Sequence, residues 1–327
     1  MKLFVIGFLG AGLGLLAQLP SVVVSGQVGT AILGFVGGPE PLELRAILGV
    51  FGAARVTHPV VVPETVTRLH ISASQRYALV EQNSGAPLAI WNLDETVLPD
   101  RQASRAALVP IDSALPHPDL VAFSPRGESV ALYAATSRQL QIITGMPNKA
   151  SIKKTPPLES PLAITMIALS DDASVVVIKD AAGELQISDA DSSWRLFYGA
   201  YSPLAWSFLP KTHDLVISDS QEKAVFLIEQ ADSKNTRTVL AENCLPNQLA
   251  VTSNGETLAA LDSKRSMLWT IDLKSKILSV TKSAQNLDSL ITLRNGNVFL
   301  ASSGTASPTL LKVSDNAAVL ATALGGR

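Results

Sequence analysis

One short pattern recurs along the chain and constrains its fold more than any other feature. An apolar run is followed by a polar turn of about four residues and then by a second apolar run. The pattern occurs six times, as VTRLHISASQRYALV (66–80), DLVAFSPRGESVALYAA (119–135), ITMIALSDDASVVVI (164–178), PLAWSFLPKTHDLVI (203–217), PNQLAVTSNGETLAAL (246–261) and DSLITLRNGNVFLA (288–301). β-Branched runs around turns of Gly, Pro, Asp and Asn predict strand–turn–strand units.

A third apolar run follows every unit at an almost constant distance. From the end of the first run to the third run the spacing is 19 to 21 residues in all six cases, for example 20 from Ser72 to Asn92. The distance between successive units varies from 39 to 52 residues, and the extra length follows the third run. A period near 40 with three or four strands is typical of a β-propeller blade. Helical repeats would need a 3.6-residue periodicity, which the β-branched runs do not supply.

The two ends of the chain contain further runs that bear on the number of blades. Residues 44–62 add two or three strand-like runs, and residues 317–324 (AAVLATAL) add one. We expect the two segments to complete a seventh blade together, since closure leaves no exposed sheet edge. The predicted fold is therefore all-β, a single propeller of seven four-stranded blades closed by pairing of N- and C-terminal strands. Six blades are the alternative, if the N-terminal runs only cover an edge.

The repeat resembles a known group of propeller sequences. AFSPRGESVAL, together with IWNLD or WTIDL in the third run, resembles the WD40-like and YVTN-type repeats of secreted bacterial proteins over roughly residues 66–314. The resemblance implies the propeller but no single function, because such repeats serve many. No Gly-His pair precedes a first strand, and the Trp-Asp dipeptide of WD40 blades is replaced by Trp91-Asn92 or lost. The buried hydrogen-bond network of strict WD40 blades is therefore not expected.

The N-terminus predicts export. Lys2 is the only charge before Glu40, and residues 3–17 form an apolar run of 15 residues, too short to span a bilayer. A basic start and a short apolar core are typical of a secretory signal peptide. Cleavage is expected after LLA (15–17) or VSG (24–26), which gives a signal peptide at 1–26, a linker at 27–42 and a propeller at 43–327 of a secreted or periplasmic protein. An uncleaved membrane anchor is the alternative, although Pro20 and the glycines disfavour it.

Composition and motifs exclude several kinds of site. With 26 Lys plus Arg against 28 Asp plus Glu, the net charge of −2 does not indicate a basic nucleic-acid-binding surface. One cysteine, Cys244, and four scattered histidines predict no internal disulfide, no metal site and no cofactor. No catalytic residue is nominated, because no nucleophile motif or phosphate-binding loop occurs. The Asp-rich turns at 170–174 and 188–191 could bind calcium, but Asp in a hairpin turn usually accepts backbone hydrogen bonds instead.

One stretch concentrates aromatic side chains. Residues 192–208 (SSWRLFYGAYSPLAWSF) hold six of the chain's 17 aromatic residues. Trp206 and Phe208 fall in a predicted first strand and are expected to fill the core between blades. The outer strand and the connection after it give a possible binding patch, since Trp, Tyr and Arg dominate binding hot spots. Its members are Trp194, Arg195, Phe197, Tyr198 and Tyr201, and packing between blades is the alternative interpretation.

Taken together, these features favour a non-catalytic binding or scaffold module for a protein or another ligand on a loop face. A monomer is expected, with membrane contact only through an uncleaved N-terminal segment. Two alternatives remain: a lactonase-like hydrolase with its site at the propeller axis, and an accessory subunit of a cell-envelope complex. A hydrolase would bring at least two titratable side chains together at the axis. A binding module would expose an apolar or aromatic patch.

Overall fold

The computed structural model describes residues 31–37, 42–94, 107–153, 155, 157–158, 162–189, 193–197, 202–302, 308–314 and 317–324. Over this part of the chain the protein is all-β, and its one helical element is a 3₁₀ turn at Asn83–Gly85. No helix in the described residues is long and apolar enough to cross a membrane.

The strands form seven antiparallel sheets, which follow one another in chain order and confirm the predicted seven-bladed propeller. Blade 1 contains β1 (Ile32–Gly37), β2 (Leu44–Val50) and β3 (Ala53–Val60). Blade 2 contains β4 (Val66–Ile71), β5 (Tyr77–Gln82), β6 (Ala89–Asn92) and β7 (Val109–Pro110). Blade 3 contains β8 (Leu120–Phe123), β9 (Ser129–Ala134), β10 (Gln139–Thr144) and β11 (Ser151–Lys153). Blade 4 contains β12 (Ile164–Leu169), β13 (Val175–Asp180), β14 (Leu185–Asp189) and β15 (Arg195–Leu196). Blade 5 contains β16 (Pro203–Phe208), β17 (Leu215–Asp219), β18 (Ala224–Glu229) and β19 (Thr236–Glu242). Blade 6 contains β20 (Gln248–Val251), β21 (Thr257–Asp262), β22 (Met267–Asp272) and β23 (Leu278–Lys282). Blade 7 contains β24 (Ile291–Thr292), β25 (Val298–Ser302), β26 (Thr309–Ser314) and β27 (Ala317–Thr322).

The second strand of each complete blade is buried on both faces, which explains its continuous apolar run. In β5, Tyr77 and Leu79 pack against blade 3, whereas Ala78 and Val80 pack against blade 1. Successive side chains of a strand point to opposite sides of the sheet, so each side must be apolar when a blade lies against both. The repeated runs are therefore the consequence of stacking blades around an axis.

Hydrophobic clusters join neighbouring blades all the way around the ring. The cluster that closes it packs Leu293 and Leu300 of blade 7 against Ile47 and Val56 of blade 1. A parallel bridge reinforces this contact, since Val56 N donates to Leu324 O at 3.0 Å and Leu324 N donates to Ala54 O at 3.0 Å. Blade 1 and the C-terminal segment at Leu324 thus meet, as predicted, but through one bridge rather than through a complete strand.

Two boundaries differ from the prediction. Residues 317–322 form the fourth strand of blade 7 and do not complete blade 1, which the N-terminal segment builds alone as three strands. The first of these strands, β1, lies within the predicted linker at 27–42. Its apolar residues form a strand because Val36 packs against blade 7 and Phe35 against blade 2. The predicted signal peptide at 1–26 lies outside the described residues.

The hairpin turn between β8 and β9 shows how the first and second strands connect. Gly127 N donates to Ser124 O at 2.9 Å, and Gly127 has a φ of +68°, where a glycine is least strained. The hydroxyl of Tyr77 in blade 2 donates to Gly127 O at 2.6 Å, so the turn also joins two blades. We call the end of the propeller that carries these first-to-second-strand turns the turn face.

Candidate functional site

A cavity of about 240 Å³ lies on the propeller axis at the turn face. Its walls come from the first strands, or from the turns directly after them, of blades 2 to 7. Side chains from six blades can converge only where the first strands meet around the axis. The large apolar side chains of the wall include Phe123, Ile167, Trp206, Leu249 and Ile291. Trp206, expected in the core between blades, is only half-buried because it lines this cavity, and Phe123 in the same wall is half-buried as well.

The polar groups of the wall are satisfied by the wall itself. Ser207 Oγ donates to Phe208 O at 3.1 Å, and Thr292 Oγ1 donates to Val251 O at 3.3 Å. The indole nitrogen of Trp206 donates to Ile167 O at 3.3 Å. Among the described residues that line the cavity, none is Asp, Glu, His, Lys or Arg. The two titratable side chains that a hydrolase at the axis needs are therefore not in this wall, which offers mainly apolar surface.

The predicted aromatic patch is divided by the structure. Trp194 is 6% exposed and packs between blades 3 and 4, and Phe197 is 3% exposed and packs between blades 4 and 5. Arg195, between them, is exposed and donates to the backbone oxygen of Asp232. Tyr198 and Tyr201 lie outside the described residues. The rings of Trp194 and Phe197, on either side of the short outer strand β15, are thus buried between blades. The patch as a whole stays a prediction.

Four polar side chains meet on the turn face, two of them from the Asp-rich turn at 170–174 and two, His213 and Asp232, that the sequence patterns did not single out. His213 Nδ1 lies 2.7 Å from Asp232 Oδ2, and His213 Nε2 lies 2.9 Å from Ser174 Oγ and 3.2 Å from Asp172 Oδ2. Ser174 Oγ in turn donates to Asp172 Oδ2 at 2.8 Å. We call these four residues the His213 cluster. They meet only because adjacent blades bring turns about 40 residues apart into contact, so no local motif could reveal them.

The Ser–His–Asp distances in this cluster are those of a catalytic triad, but the chemistry is different. Burial opposes the charged ring of His213, yet its hydrogen bonds to Asp172 and Asp232 outweigh burial and raise its pKa. Burial likewise opposes the charge of Asp172, but hydrogen bonds from Ser170 and Ser174 and the contact with His213 hold its pKa well below the usual range. The Ser174 proton points to this carboxylate, and a protonated ring cannot accept it. With the ring protonated, the group is therefore an ion cluster between blades rather than an activated nucleophile.

Asp171, next in the same turn, ties three blades together beside the cavity. Its Oδ1 accepts from Arg126 N at 2.7 Å in blade 3, and its Oδ2 accepts from Lys211 N at 2.9 Å in blade 5. Asp172 Oδ1 accepts from Ser174 N at 3.0 Å within the turn. The carboxylates of the 170–174 turn thus accept backbone hydrogen bonds, the interpretation that was preferred to calcium binding.

Another buried carboxylate joins blades 2 and 3. Glu81 Oε1 lies 3.0 Å from His70 Nε2 and 3.3 Å from an Arg68 nitrogen, and Oε2 lies 3.1 Å from His117 Nδ1. Burial favours the neutral acid, but the hydrogen bonds from both histidines and the Arg68 charge outweigh it and lower the pKa of Glu81. Within the described residues, no group of three His, Cys, Asp or Glu side chains is arranged to hold a metal ion.

Comparison with known proteins supports the fold and goes no further. No family model and no curated protein matches the chain. Among solved structures, a protein of unknown function from Desulfotomaculum acetoxidans is similar over 90% of this chain and 100% of its own, with 13% identity and a TM-score of 0.57. Hsv2 from Kluyveromyces lactis is similar over 77% of this chain and 74% of its own, with 12% identity and a TM-score of 0.52. At such identities the similarity concerns the architecture, which is consistent with a binding or scaffold module.

Proposed function

We propose that the protein is an exported, non-catalytic propeller of the WD40-like or YVTN-type kind that binds an uncharged apolar group in its axial cavity. The observation that carries the proposal is the convergence of six blades on a cavity walled by apolar side chains. Ligand sites in proteins are typically concave and mostly apolar, with few polar groups. A rigid ring of stacked blades also holds such a site open without rearrangement.

The size of the cavity limits what it accepts. An apolar cavity of about 150 Å³ in another protein is large enough for benzene, whereas drug-sized ligands need roughly 300 to 1,000 Å³. A volume of about 240 Å³ therefore suits one aromatic ring or a branched aliphatic group, supplied by a small molecule or by a side chain of a partner. A charged group is disfavoured, since the wall offers no countercharge and burying an unpaired charge costs several kcal/mol or more.

Trp206 provides a reporter for this proposal. The other three tryptophans, Trp91, Trp194 and Trp269, are at most 6% exposed in the blade cores, so an added apolar probe reaches Trp206 first. Titration with toluene should give a saturable change in tryptophan fluorescence. It should also raise the melting temperature, because a ligand at ten times its Kd stabilises the folded state by about 1.4 kcal/mol.

A matched pair of variants makes the test specific. Ile291 lines the cavity and is 42% exposed, so Ile291→Arg should fold and should abolish toluene binding by placing a charge in the wall. Val319→Arg changes a side chain that is 48% exposed on the outer strand β27, and binding should be retained. Linear, unsaturable fluorescence in the unmodified protein, or equal binding by both variants, would overturn the proposal.

Export rests on the uncharged apolar N-terminus and has its own test. Residues 1–42 fused to a reporter enzyme that is active only outside the cytoplasm should give active reporter. Replacing two leucines in the 3–17 run by arginine should abolish the activity. Equal reporter activity of the unmodified and the arginine-substituted fusions would contradict the proposed export.

A further inference from the structure

The His213 cluster connects three turns on the turn face. Ser174 and Asp172 belong to the first turn of blade 4, His213 to the first turn of blade 5, and Asp232 to the turn between β18 and β19. The two first turns directly follow Leu169 and Phe208, which line the axial cavity. Whatever holds these turns together therefore also fixes two neighbouring parts of the cavity wall.

We propose that the His213 cluster is a proton-operated lock between blades 4 and 5, closed when the imidazole is protonated and open when it is neutral. The geometry favours two donors on one ring, since Nδ1 faces Asp232 Oδ2 at 2.7 Å and Nε2 faces Asp172 Oδ2 at 3.2 Å, with Ser174 Oγ at 2.9 Å beside it. Only the imidazolium carries an N–H on both nitrogens. A neutral ring that keeps its N–H toward Asp232 presents a lone pair at Nε2, which can accept from Ser174 Oγ only if that hydroxyl turns away from Asp172. The attraction between His213 and Asp172 across the blade boundary is then lost.

Several other charged groups on the elements around the ring bond elsewhere, among them Asp214, whose Oδ1 accepts from Gln230 N at 2.9 Å, while Lys211 and Lys234 are exposed. Asp171 accepts from Lys211 N and Arg126 N, Arg195 donates to the backbone oxygen of Asp232, and the Lys153 ammonium donates to Ala173 O at 2.9 Å. His213 is the one histidine in this set. The lock therefore depends on the protonation of a single imidazole between two carboxylates.

The direction of the pH effect follows from the cluster. The hydrogen bonds to the two carboxylates outweigh burial and raise the pKa of His213 above its ordinary value of 6.5. A raised folded-state pKa gives stability that is fully present below pH 6.5 and is lost as the pH rises through the folded-state value. The lowered pKa of Asp172 gives a contribution that is present above its ordinary value of 3.8 and is lost as the pH falls further. The lock is thus closed in weak acid and opens as the pH rises through the folded-state pKa of His213.

Two measurements on the full chain test the lock without any ligand. The NMR titration of the His213 ring, assigned by comparison with His213→Gln, should give a pKa above 6.5. Hydrogen exchange should be faster at pH 8.5 than at pH 5.5, after correction for the intrinsic rate, at residues 170–175 and 209–214. Between these two pH values the unmodified protein should lose more of its melting temperature than His213→Gln loses.

Three variants distinguish the lock from a general pH effect. Asp232→Asn removes one carboxylate and should move the His213 titration to lower pH, together with the stability change. His58→Gln, at an exposed position on β3, should keep the pH dependence of the unmodified protein. A His213 titration at or below pH 6.5, or the same pH dependence of stability in His213→Gln as in the unmodified protein, would overturn the proposal. Because no ligand takes part, failure of the lock leaves cavity binding untouched, and failure of toluene binding leaves the lock untouched.

Discussion

Replacing Asp171 by alanine should show how strongly one turn residue holds three blades. Asp171 is 7% exposed, and its two oxygens accept backbone N–H groups from Arg126 and Lys211 at 2.7 and 2.9 Å. Alanine leaves both donors without a protein acceptor, and a buried donor that loses its partner costs about 1–3 kcal/mol. Both donors belong to exposed turn residues that water reaches in part, so we expect a total loss of about 2–4 kcal/mol.

The measurement is urea unfolding, with the shift in midpoint taken at constant slope. Asp171→Asn keeps one carbonyl acceptor and should lose about half as much as alanine. Glu184→Ala removes an exposed carboxylate from another turn of the same blade and should change stability by about 0.5 kcal/mol or less. Hydrogen exchange should accelerate at the Arg126 and Lys211 amides in the alanine variant. Unchanged exchange at both amides, with a loss below about 0.5 kcal/mol, would refute the three-blade tie.

Two further predictions concern a glycine turn and the single thiol. Gly296→Ala should destabilise the protein by about 2–4 kcal/mol in urea unfolding, against about 1–2 kcal/mol for Gly183→Ala. Both glycines have positive φ, +71° at Gly296 and +90° at Gly183. An added Cβ at Gly296 would lie 2.4 Å from Ser253 Cβ, whereas one at Gly183 would meet nothing within 4 Å. Equal losses of stability in the two variants would contradict this steric account. Burial raises the pKa of the Cys244 thiol to about 11, so a thiol reagent at pH 8 should modify the chain only after unfolding. Rapid labelling of the folded protein would place Cys244 nearer the surface than the structure does.

The repeated strands were predictable because their signal is local. An apolar run buried on both faces is hydrophobic at every position, and a tight turn needs Gly, Asn, Asp or Pro at particular positions. β1 was missed because its run follows a long uncharged N-terminal stretch that is typical of a signal peptide and offers no repeat spacing. Trp194 and Phe197 were nominated for a surface from their composition, yet their rings lie in the packing on either side of blade 4. Exposure at the edge of a blade depends on the neighbouring blade, which local sequence does not specify.

By itself, the sequence determined the repeated strands of blades 2 to 7, the order of these blades and the turn between each first and second strand. These features depend on residues close together in the chain, through hydrophobic periodicity and backbone conformation. Only the tertiary structure decided that six first strands enclose an apolar axial cavity, and that His213 lies between Asp172 and Asp232. Both arrangements depend on the register of one blade against the next. That register is fixed by packing between residues about 40 positions apart, for which the chain carries no local signal.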